Sequence, residues 1–509
     1  MRLFLKLLIG AVLGIILLPY LVIHKSAMPE GTDLSSPFFG YSEVELFLDR
    51  TYFDEENQKL YLEHTIFDQM LAEIESAETF LILDFFFWNP WKGSLDKNLK
   101  INSLSKRLIS AIVDKRKERP EMPILIVTDP INRLYGSSDS KQFEALTSLG
   151  IPVIYTDLSR LRDPNFLYSK QVHFWSKFYP EKPEKKRFRF IPNPMDWKGD
   201  KLSFHQLAKS FHLKSNHRKV LISGHKDKAS RILIGSLNPA DSGALNSNMA
   251  VLIEGPVADY AARSELMISR WSSMNPSNLQ GDSFSFEDTF SRIDYQLMRE
   301  ADFSQYRSKN KGVRYLSEGS IKRALIDLLN EADSETEIDI SIFYMSDRKL
   351  IRILKSALKR GAQVRLLMDQ NKNSFGFKKL GIPNRCVADE LMNMKEATSL
   401  EIRWVPTTQN GQYHTKAFRF YNEENDILLL GSANLTQRSL NNFNLEANVL
   451  FNSVLPVSNQ FDQYFESVWN NAKVANESLA YGDLKNPQWV QFIRVLFYRF
   501  QEWTQLSKF

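Results

Sequence analysis

The chain has 509 residues, of which 43% are hydrophobic and 25% are charged, so its composition is that of a folded protein and excludes global disorder. The length predicts two or three structural units rather than one simple core. A net charge of +5 is too small to imply nucleic acid, but it suits an anionic substrate or an anionic membrane surface. The single cysteine, Cys386, excludes an intramolecular disulfide and a cysteine-rich zinc site.

The chain begins with an apolar segment. Residues 7–23 carry no charge and follow Arg2 and Lys6. This length is at the short end of what crosses a bilayer, and it predicts an N-terminal transmembrane helix within residues 1–29. The alternative is a cleaved signal peptide, for which Ser26-Ala27-Met28 is a poor cleavage site. The basic residues before the segment favour a cytosolic N-terminus, with the bulk of the chain on the opposite face, which is the periplasmic face of a bacterial inner membrane.

The first half then shows a strand, a helix and a second strand. Residues 79–87 are almost entirely apolar and predict a buried strand, and apolar residues at helical spacing follow around 104–113. Residues 124–129 predict the second buried strand, which ends in Asp129.

The second half repeats this order. Residues 338–344 and 364–369 predict buried strands, the second of them ending again in Asp. Between them a helix with one apolar face covers 350–358 and ends at Lys359-Arg360-Gly361. Strand, helix and strand with short connections imply a right-handed crossover, so we predict an α/β fold with largely parallel sheets covered by helices.

A polar motif also occurs twice. Each copy is a His-x-Lys triplet followed by Gly-Ser-x-Asn: His217-Arg218-Lys219 with Gly235-Ser236-Leu237-Asn238, and His414-Thr415-Lys416 with Gly431-Ser432-Ala433-Asn434. From His to Asn the spacing is 21 residues in the first copy and 20 in the second. A nearby triplet, His212-Leu213-Lys214, would stretch the first spacing by five residues and is not the preferred candidate.

Each motif is flanked by two predicted strands. Residues 220–222 and 417–420 follow the lysines, and 231–234 and 427–430 precede the glycines. Each His and its Asn should therefore lie at one end of a hairpin, at one sheet edge and facing one cleft.

These residue types suit phosphodiester exchange through a phosphohistidine. One imidazole attacks phosphorus, and the other protonates the leaving oxygen and later removes a proton from water or an alcohol. The lysines of the two triplets can neutralise the anionic phosphodiester without a metal or other cofactor. The candidates to assist near the phosphate oxygens are Asn238, Asn434, Ser236 and Ser432.

Two like histidines need unlike surroundings to perform these two roles. Sliding the halves by 196 residues places Ala250 opposite Glu446, so that only the second copy offers a carboxylate to orient an imidazole.

Over about residues 60 to 475, these motifs resemble those of the phospholipase D superfamily. Ile253-Glu254-Gly255-Pro256 is similar to the family's segment before the helix that leads to Trp271. The resemblance implies two tandem α-β-α lobes about a pseudo-twofold axis, with both motifs in one site of a monomer. It further implies His217 as the nucleophile, Glu446 as its orienting carboxylate and His414 as the acid/base.

The chain departs from the family pattern at two positions. The family has Asp seven residues after each motif His, where this chain has Gly224 and Tyr421. Asp227 and Asp426 lie nearby, but at unequal offsets. Since that Asp mainly supports the structure of the motif, its loss leaves the reacting groups in place.

The resemblance and the composition together predict the domain boundaries. We expect a first lobe over residues 30–274, a linker over 275–315 with a helix around 286–301, and a second lobe over 316–476. A lysine-rich insertion at 178–200 could guide anionic groups or be a solvated loop. In the C-terminal segment 477–509, Asn486-Pro487 would begin a helix that lies on a membrane or docks on the core.

The leading hypothesis is a membrane-associated phospholipase D-like enzyme that hydrolyses phospholipid headgroups or transfers phosphatidyl groups, as cardiolipin synthases do. Trp91-Lys92 could sit at its entrance, although burial is the usual role of such aromatic residues. A nuclease or phosphodiesterase of the same superfamily is the second hypothesis, for which a basic, aromatic groove would be required. The third is a non-catalytic membrane protein on the same scaffold.

Overall fold

The structure is a computed structural model. It describes residues 2–22, 27–92, 102–136, 140–164, 168–176, 189–192, 201–210, 212–299, 307–308, 311–374, 377–378, 380–395, 397–408, 410–484 and 488–504.

The described residues form helices and strands in a mixed α/β arrangement. The helices are α1 (Arg2–Val22), α2 (Thr65–Ser76), α3 (Leu104–Glu118), α4 (Lys141–Thr147), α5 (Ser169–Ser176), α6 (Phe204–Ser210), α7 (Pro256–Ser273), α8 (Ser283–Arg299), α9 (Gly319–Glu331), α10 (Arg348–Lys359), α11 (Asn384–Met392), α12 (Gln437–Leu440), α13 (Leu455–Trp469) and α14 (Gln488–Thr504). The strands are β1 (Phe38–Phe39), β2 (Glu43–Asp54), β3 (Lys59–His64), β4 (Leu81–Phe85), β5 (Ile124–Thr128), β6 (Val153–Tyr155), β7 (Arg189–Ile191), β8 (Leu202–Ser203), β9 (Ser215–Asn216), β10 (Lys219–Ser223), β11 (Arg231–Gly235), β12 (Asn248–Glu254), β13 (Leu279–Gln280), β14 (Arg307–Ser308), β15 (Gly312–Ser317), β16 (Glu337–Ile342), β17 (Gln363–Asp369), β18 (Asn373–Ser374), β19 (Phe377–Lys378), β20 (Leu400–Val405), β21 (Lys416–Tyr421), β22 (Asp426–Gly431), β23 (Asn444–Leu445), β24 (Ala447–Asn452) and β25 (Leu479–Ala480).

Two large sheets repeat the same strand order. The first runs β13-β6-β5-β4-β10-β11-β12-β2-β3, and the second, read from its far edge, runs β25-β20-β17-β16-β21-β22-β24-β15-β1-β14. Within the described residues of these two sheets, only β4, β5 and β6 and their counterparts β16, β17 and β20 are parallel to each other. The prediction of largely parallel sheets is therefore wrong. The strands β10, β11 and β12 pair antiparallel in that order, and so do β21, β22 and β24, because each enters the sheet at the end where the previous strand left it.

The predicted strands and helices that frame the motifs are confirmed. Both β4 and β5 are buried along their whole length, and their side chains alternate between two cores. Ile82 faces the core shared by the two lobes, whereas Leu81 and Leu83 face the helices α2 and α3. The α10 helix begins at Asp347, whose carboxylate accepts hydrogen bonds from two backbone N–H groups, and Gly361 follows it with φ of 103°.

The shared core joins the two lobes. Apolar side chains of α7 and α13 pack together with the inner faces of both sheets, and Val257, Leu266, Phe461 and Phe465 are buried there. The strand β1 lies early in the chain but pairs with β15 of the second sheet. The two sheets are thus held together by a continuous apolar layer.

The N-terminal segment forms the helix α1, which contains Lys6 near its start and Pro19 near its end. Within the part of the chain that the structure describes, no helix is both long and apolar enough to cross a membrane. The transmembrane helix predicted within residues 1–29 is therefore not supported by the structure.

Two other predicted segments are described in part. Residues 275–315, predicted as a linker, include β13, which pairs with β6, and α8, which buries Phe286 and Ile293. Of the lysine-rich insertion, only residues 189–192 belong to the described residues, and Asn486 and Pro487 at the expected start of α14 lie outside them.

Candidate active site

The two motif histidines lie at equivalent positions of the two sheets, and each is held by the opposite lobe. The backbone N–H of His217 donates to the carbonyl of Leu445, and that of His414 donates to the carbonyl of Ser247, at 2.8 Å in both cases. The pairing of β9 with β23 extends the first of these contacts. Each lobe therefore sets the position of the other lobe's histidine.

Two aspartates anchor the segments that carry the histidines. Asp129 follows β5 and its Oδ2 accepts the backbone N–H of Asn216, at 2.7 Å. Asp369 ends β17 and its Oδ2 accepts the backbone N–H of Tyr413, also at 2.7 Å. Both aspartates end predicted strands, and the structure shows that they fix the residue just before each histidine.

His217 is paired with a carboxylate. Its Nδ1 lies 2.9 Å and 3.0 Å from the two carboxylate oxygens of Glu446. The hydroxyl of Ser432 donates to Glu446 at 2.5 Å, and accepts the backbone N–H of Ala447. With Nδ1–H donating to Glu446, the lone pair of Nε2 is left available for a nucleophilic role.

His414 is paired with a neutral amide instead. Its Nδ1 lies 3.0 Å from Oδ1 of Asn248, which also accepts the hydroxyl of Ser236 at 3.2 Å. Ser236 in turn accepts the backbone N–H of Met249. The surroundings of the two histidines thus differ by one negative charge.

Asn248 is the structural counterpart of Glu446, because both accept a hydrogen bond from the serine of Gly-Ser-x-Asn. They lie twelve residues after Ser236 and fourteen after Ser432, respectively. The alignment of Ala250 with Glu446 is therefore wrong by two residues, since the second copy has a longer connection. Both serine hydroxyls are buried and engaged with these partners, a placement that favours a positioning role over direct contact with substrate.

An aromatic ring lines each histidine. The ring centres of Phe86 and His217 lie 5.1 Å apart, and those of Phe343 and His414 lie 4.9 Å apart. Lys219 and Lys416 lie over the same two phenyl rings, at 5.5 Å and 5.4 Å. Both rings lie near the end of the first predicted strand of their half, and no role in the site was predicted for them.

The motif asparagines differ between the copies. Oδ1 of Asn238 accepts the backbone N–H of Phe87 at 3.2 Å. Oδ1 of Asn434 is buried without a hydrogen-bond partner in the described structure. An unpaired buried amide oxygen is costly, and a bound group with a donor would satisfy it.

Burial shifts the pKa values of the titratable groups at the centre. Burial lowers the pKa of Lys219 to about 7, and burial together with the charge of Lys219 lowers the pKa of Lys416 well below its usual value. Burial, reinforced by both lysines, also lowers the pKa of His217 and of His414 well below the usual range. Burial raises the pKa of Glu446 to about 7. These directions describe a cluster of cations that an anionic phosphodiester would stabilise.

The residue between His217 and Lys219 links the lobes. The guanidinium of Arg218 is fully buried, and donates to Glu265 at 2.9 Å and to Glu318 at 2.8 Å. Glu318 also accepts the backbone N–H of Glu446 at 3.0 Å. This ionic network therefore extends from the first motif to the backbone of Glu446.

The two positions that depart from the family pattern lie away from the histidines. Gly224 and Tyr421 stand at the far ends of β10 and β21, about 17 Å along the strand from the motif. At Gly224 a Cβ atom would come within 2.4 Å of the Phe80 ring, so the packing excludes any side chain there. The hydroxyl of Tyr421 donates to Glu337 instead.

The neighbouring triplet has a structural role. The ammonium of Lys214 is buried, forms an ion pair with Asp163 at 2.7 Å and donates to the carbonyl of Leu161. Among the residues that the structure describes, no cluster of three or more His, Cys, Asp or Glu side chains could hold a metal ion.

Residues 325–469 match the family model described as cardiolipin synthase, PLD-like domain. Over this range the chain is similar to the phospholipase D superfamily. Its match with that family model includes the second His-x-Lys and Gly-Ser-x-Asn segments and Glu446.

Three solved structures are similar to the chain, and the first of them shows a similar fold. Phosphatidylserine synthase from Haemophilus influenzae Rd KW20 is 13% identical, with a TM-score of 0.52 over 92% of this chain and 96% of that chain. Polyphosphate kinase from Porphyromonas gingivalis is 11% identical, with a TM-score of 0.44 over 91% of this chain and 54% of that chain. The phospholipase D family member Nuc from Salmonella typhimurium is 18% identical, with a TM-score of 0.25 over 31% of this chain and 95% of that chain. No curated protein matches the chain.

Proposed function

We propose that this protein is a membrane-associated phospholipase D-like enzyme. It cleaves the headgroup ester of a phospholipid through a phosphohistidine, and passes the phosphatidyl group to an alcohol or to water. The observation that carries this proposal is the pairing of His217 with Glu446 while His414 faces only the neutral Asn248. The similarity to the cardiolipin synthase family model and to a phosphatidylserine synthase supports a phospholipid as substrate. Placement of the site on the periplasmic face belongs to the same proposal.

The first step forms one bond and breaks one. Nε2 of His217 attacks phosphorus while Glu446 stabilises the positive charge that develops on the ring. His414 gives its proton to the leaving headgroup oxygen, which departs as a neutral alcohol. His414 must take up that proton when the substrate binds, because the negative charge of the substrate raises the pKa of a buried imidazole.

The second step reverses these roles. His414, now neutral, removes the proton of the acceptor alcohol or of water, and the resulting oxygen attacks phosphorus. The bond from phosphorus to Nε2 breaks, and His217 recovers its lone pair. Lys219 and Lys416 neutralise the phosphate oxygens in both steps, because the anion restores the charged form of these lysines.

The direct test uses the purified full chain, with labelled phosphatidylglycerol and phosphatidylethanolamine in mixed micelles that contain EDTA. Phosphatidic acid would identify hydrolysis, and cardiolipin would identify transfer. If no lipid product forms and labelled single-stranded DNA is cut, the nuclease hypothesis replaces this one. If neither substrate reacts, the non-catalytic hypothesis does.

Changing Glu446 to glutamine should lower kcat by about 10²-fold, because the amide removes the charge that orients and stabilises His217. The wild-type kcat/KM should fall as the pH drops through about 7, where the Glu446 carboxylate becomes protonated. In the Glu446→Gln variant this acid limb should move to lower pH. A pH profile with an unchanged acid limb would show that Glu446 does not control the reaction.

Changing Asn248 to aspartate should give His414 the carboxylate that it lacks. A carboxylate next to an imidazole raises its pKa by about 1–3 units, so the base form of His414 would appear only at higher pH. We expect breakdown of the phosphohistidine at neutral pH to slow by about 10-fold and its pH profile to shift upward. Single-turnover kinetics would measure this step. Asn246→Asp adds the same charge two residues away and should leave the profile unchanged.

A further inference from the structure

The helix α14 packs against the protein through its polar side. The hydroxyl of Tyr498 donates to the carbonyl of Ser346, and Arg499 forms an ion pair with Glu390 of α11 at 3.2 Å. Tyr498 is 1% exposed and Glu502 is 8% exposed. Ser346 donates its own backbone N–H to Leu435, the residue after Asn434. The helix is thus docked beside the second motif.

The opposite side of α14 is apolar and exposed. Seven large apolar side chains are each between 47% and 70% exposed: Trp489, Phe492, Ile493, Leu496, Phe497, Phe500 and Trp503. A surface helix of a globular protein usually turns its apolar stripe to the core, so this orientation is inverted. A contiguous exposed patch of this size marks an interaction surface.

The first lobe has a matching surface beside its own motif. The α6 helix packs on the turn at residues 130–136, which follows Asp129. The described segments 189–192 and 201–210 contain three cations and no acidic residue. Phe190 and Phe204 in these segments are 65% and 72% exposed. The three cations are Arg189, Lys201 and Lys209.

We propose that these two surfaces, the outer face of α14 and the segments 189–192 and 201–210, form one rim that docks on an anionic lipid bilayer. The aromatic and aliphatic side chains would enter the boundary between headgroups and acyl chains, and the cations would contact anionic headgroups. The inference extends the proposed function and rests on it for the identity of the lipid, since a bilayer at the rim presents headgroups beside both histidines.

A bilayer fits the rim better than single-stranded nucleic acid or a second copy of the chain does. Single-stranded nucleic acid needs cations along its path, but α14 carries only Arg494 and Arg499, and Arg499 is paired with Glu390. A second copy that covered both surfaces would close the site between them. The positive charge of the first-lobe surface complements anionic lipid, and the apolar face of α14 complements its acyl region.

The test places an environment-sensitive NBD fluorophore at single engineered cysteines of the full chain, in Phe500→Cys and in Phe204→Cys. Cys386 stays unlabelled, because it is buried and burial raises the pKa of its thiol to about 12. We expect vesicles of phosphatidylcholine mixed with phosphatidylglycerol to shift the emission of both probes to the blue, and to increase it several-fold.

The matched control is Lys117→Cys on α3, whose side chain is 66% exposed on the outer surface of the first lobe. Its emission should not change. No change at Phe500→Cys with vesicles would overturn the proposal. So would a blue shift without vesicles that grows with protein concentration, which would indicate a second copy, or an equal shift with single-stranded DNA.

A second variant removes the rim's apolar character. Phe492→Glu with Leu496→Glu changes two exposed side chains, so Tm should stay close to that of the wild type. The vesicle concentration needed for half of the emission change at Phe204→Cys should rise at least about 10-fold. An unchanged vesicle titration would contradict the role of α14. Turnover of lipid in mixed micelles is measured separately. An unchanged probe emission with vesicles would contradict the docking proposal, whereas absence of lipid product would contradict the proposed reaction.

Discussion

Replacing His217 with alanine is expected to lower kcat for headgroup transfer by about 10⁴-fold or more, because it removes the proposed nucleophile and leaves the phosphate-binding groups without a reaction partner. Lys219 and Lys416 would still bind the phosphate group of the lipid, so KM should change much less than kcat. Initial rates in mixed micelles would measure both constants.

The complementary variant His414→Ala should keep the nucleophile. With a substrate whose leaving group needs no proton, His217 should still attack, and the phosphohistidine should accumulate because no base completes the second step. Mass spectrometry of the protein would detect the added phosphatidyl group. Accumulation on His414 in His217→Ala would reverse the assigned roles.

The matched control is His212→Ala. His212 belongs to the neighbouring His-x-Lys triplet, whose Lys214 is held in a buried ion pair with Asp163. Activity of this variant should stay within a few-fold of the wild type. A loss as large as that of His217→Ala would mean that the spacing argument selected the wrong triplet.

Replacing Arg218 with alanine is expected to destabilise the protein by about 3–5 kcal/mol, because two fully buried carboxylates lose their shared cation. Glu265 and Glu318 both contact this guanidinium, and Glu318 also holds the backbone of Glu446. Urea unfolding monitored by tryptophan fluorescence would measure the free energy of unfolding.

An exposed arginine provides the control for this prediction. Arg323 pairs with Asp33 at 2.9 Å, but its side chain is 58% exposed, so Arg323→Ala should cost no more than about 1 kcal/mol. Equal losses in the two variants would show that the buried network contributes little beyond an ordinary surface ion pair.

Much of the frame around the site could be predicted because it depends on local patterns. The buried strands β4, β5, β16 and β17 are continuous apolar runs, and Gly361 ends α10 where a positive φ is needed. The duplicated motif also predicted which polar residues share a sheet edge, and the structure brings His217, His414 and both motif lysines together there.

Other features could not be predicted from local patterns, because they depend on contacts between distant residues. The partner of His414 is Asn248. Aligning the two halves by one constant offset pointed to Ala250 instead, two residues further along the chain. The strand direction was also mistaken, because the apolar content of a strand does not reveal which neighbour it pairs with.

The sequence by itself determined the chemical groups: two imidazoles, two ammonium groups and one carboxylate that is present in only one half. Only the tertiary structure decided how these groups are paired. It places Glu446 of one lobe on His217 of the other, and leaves His414 to a neutral amide. In the tertiary structure the polar side of α14 also packs against the second lobe, because Tyr498 donates a hydrogen bond to Ser346 and Arg499 pairs with Glu390. The physical reason is that hydrogen bonds and ion pairs between lobes depend on distances through space, which local sequence periodicity does not encode.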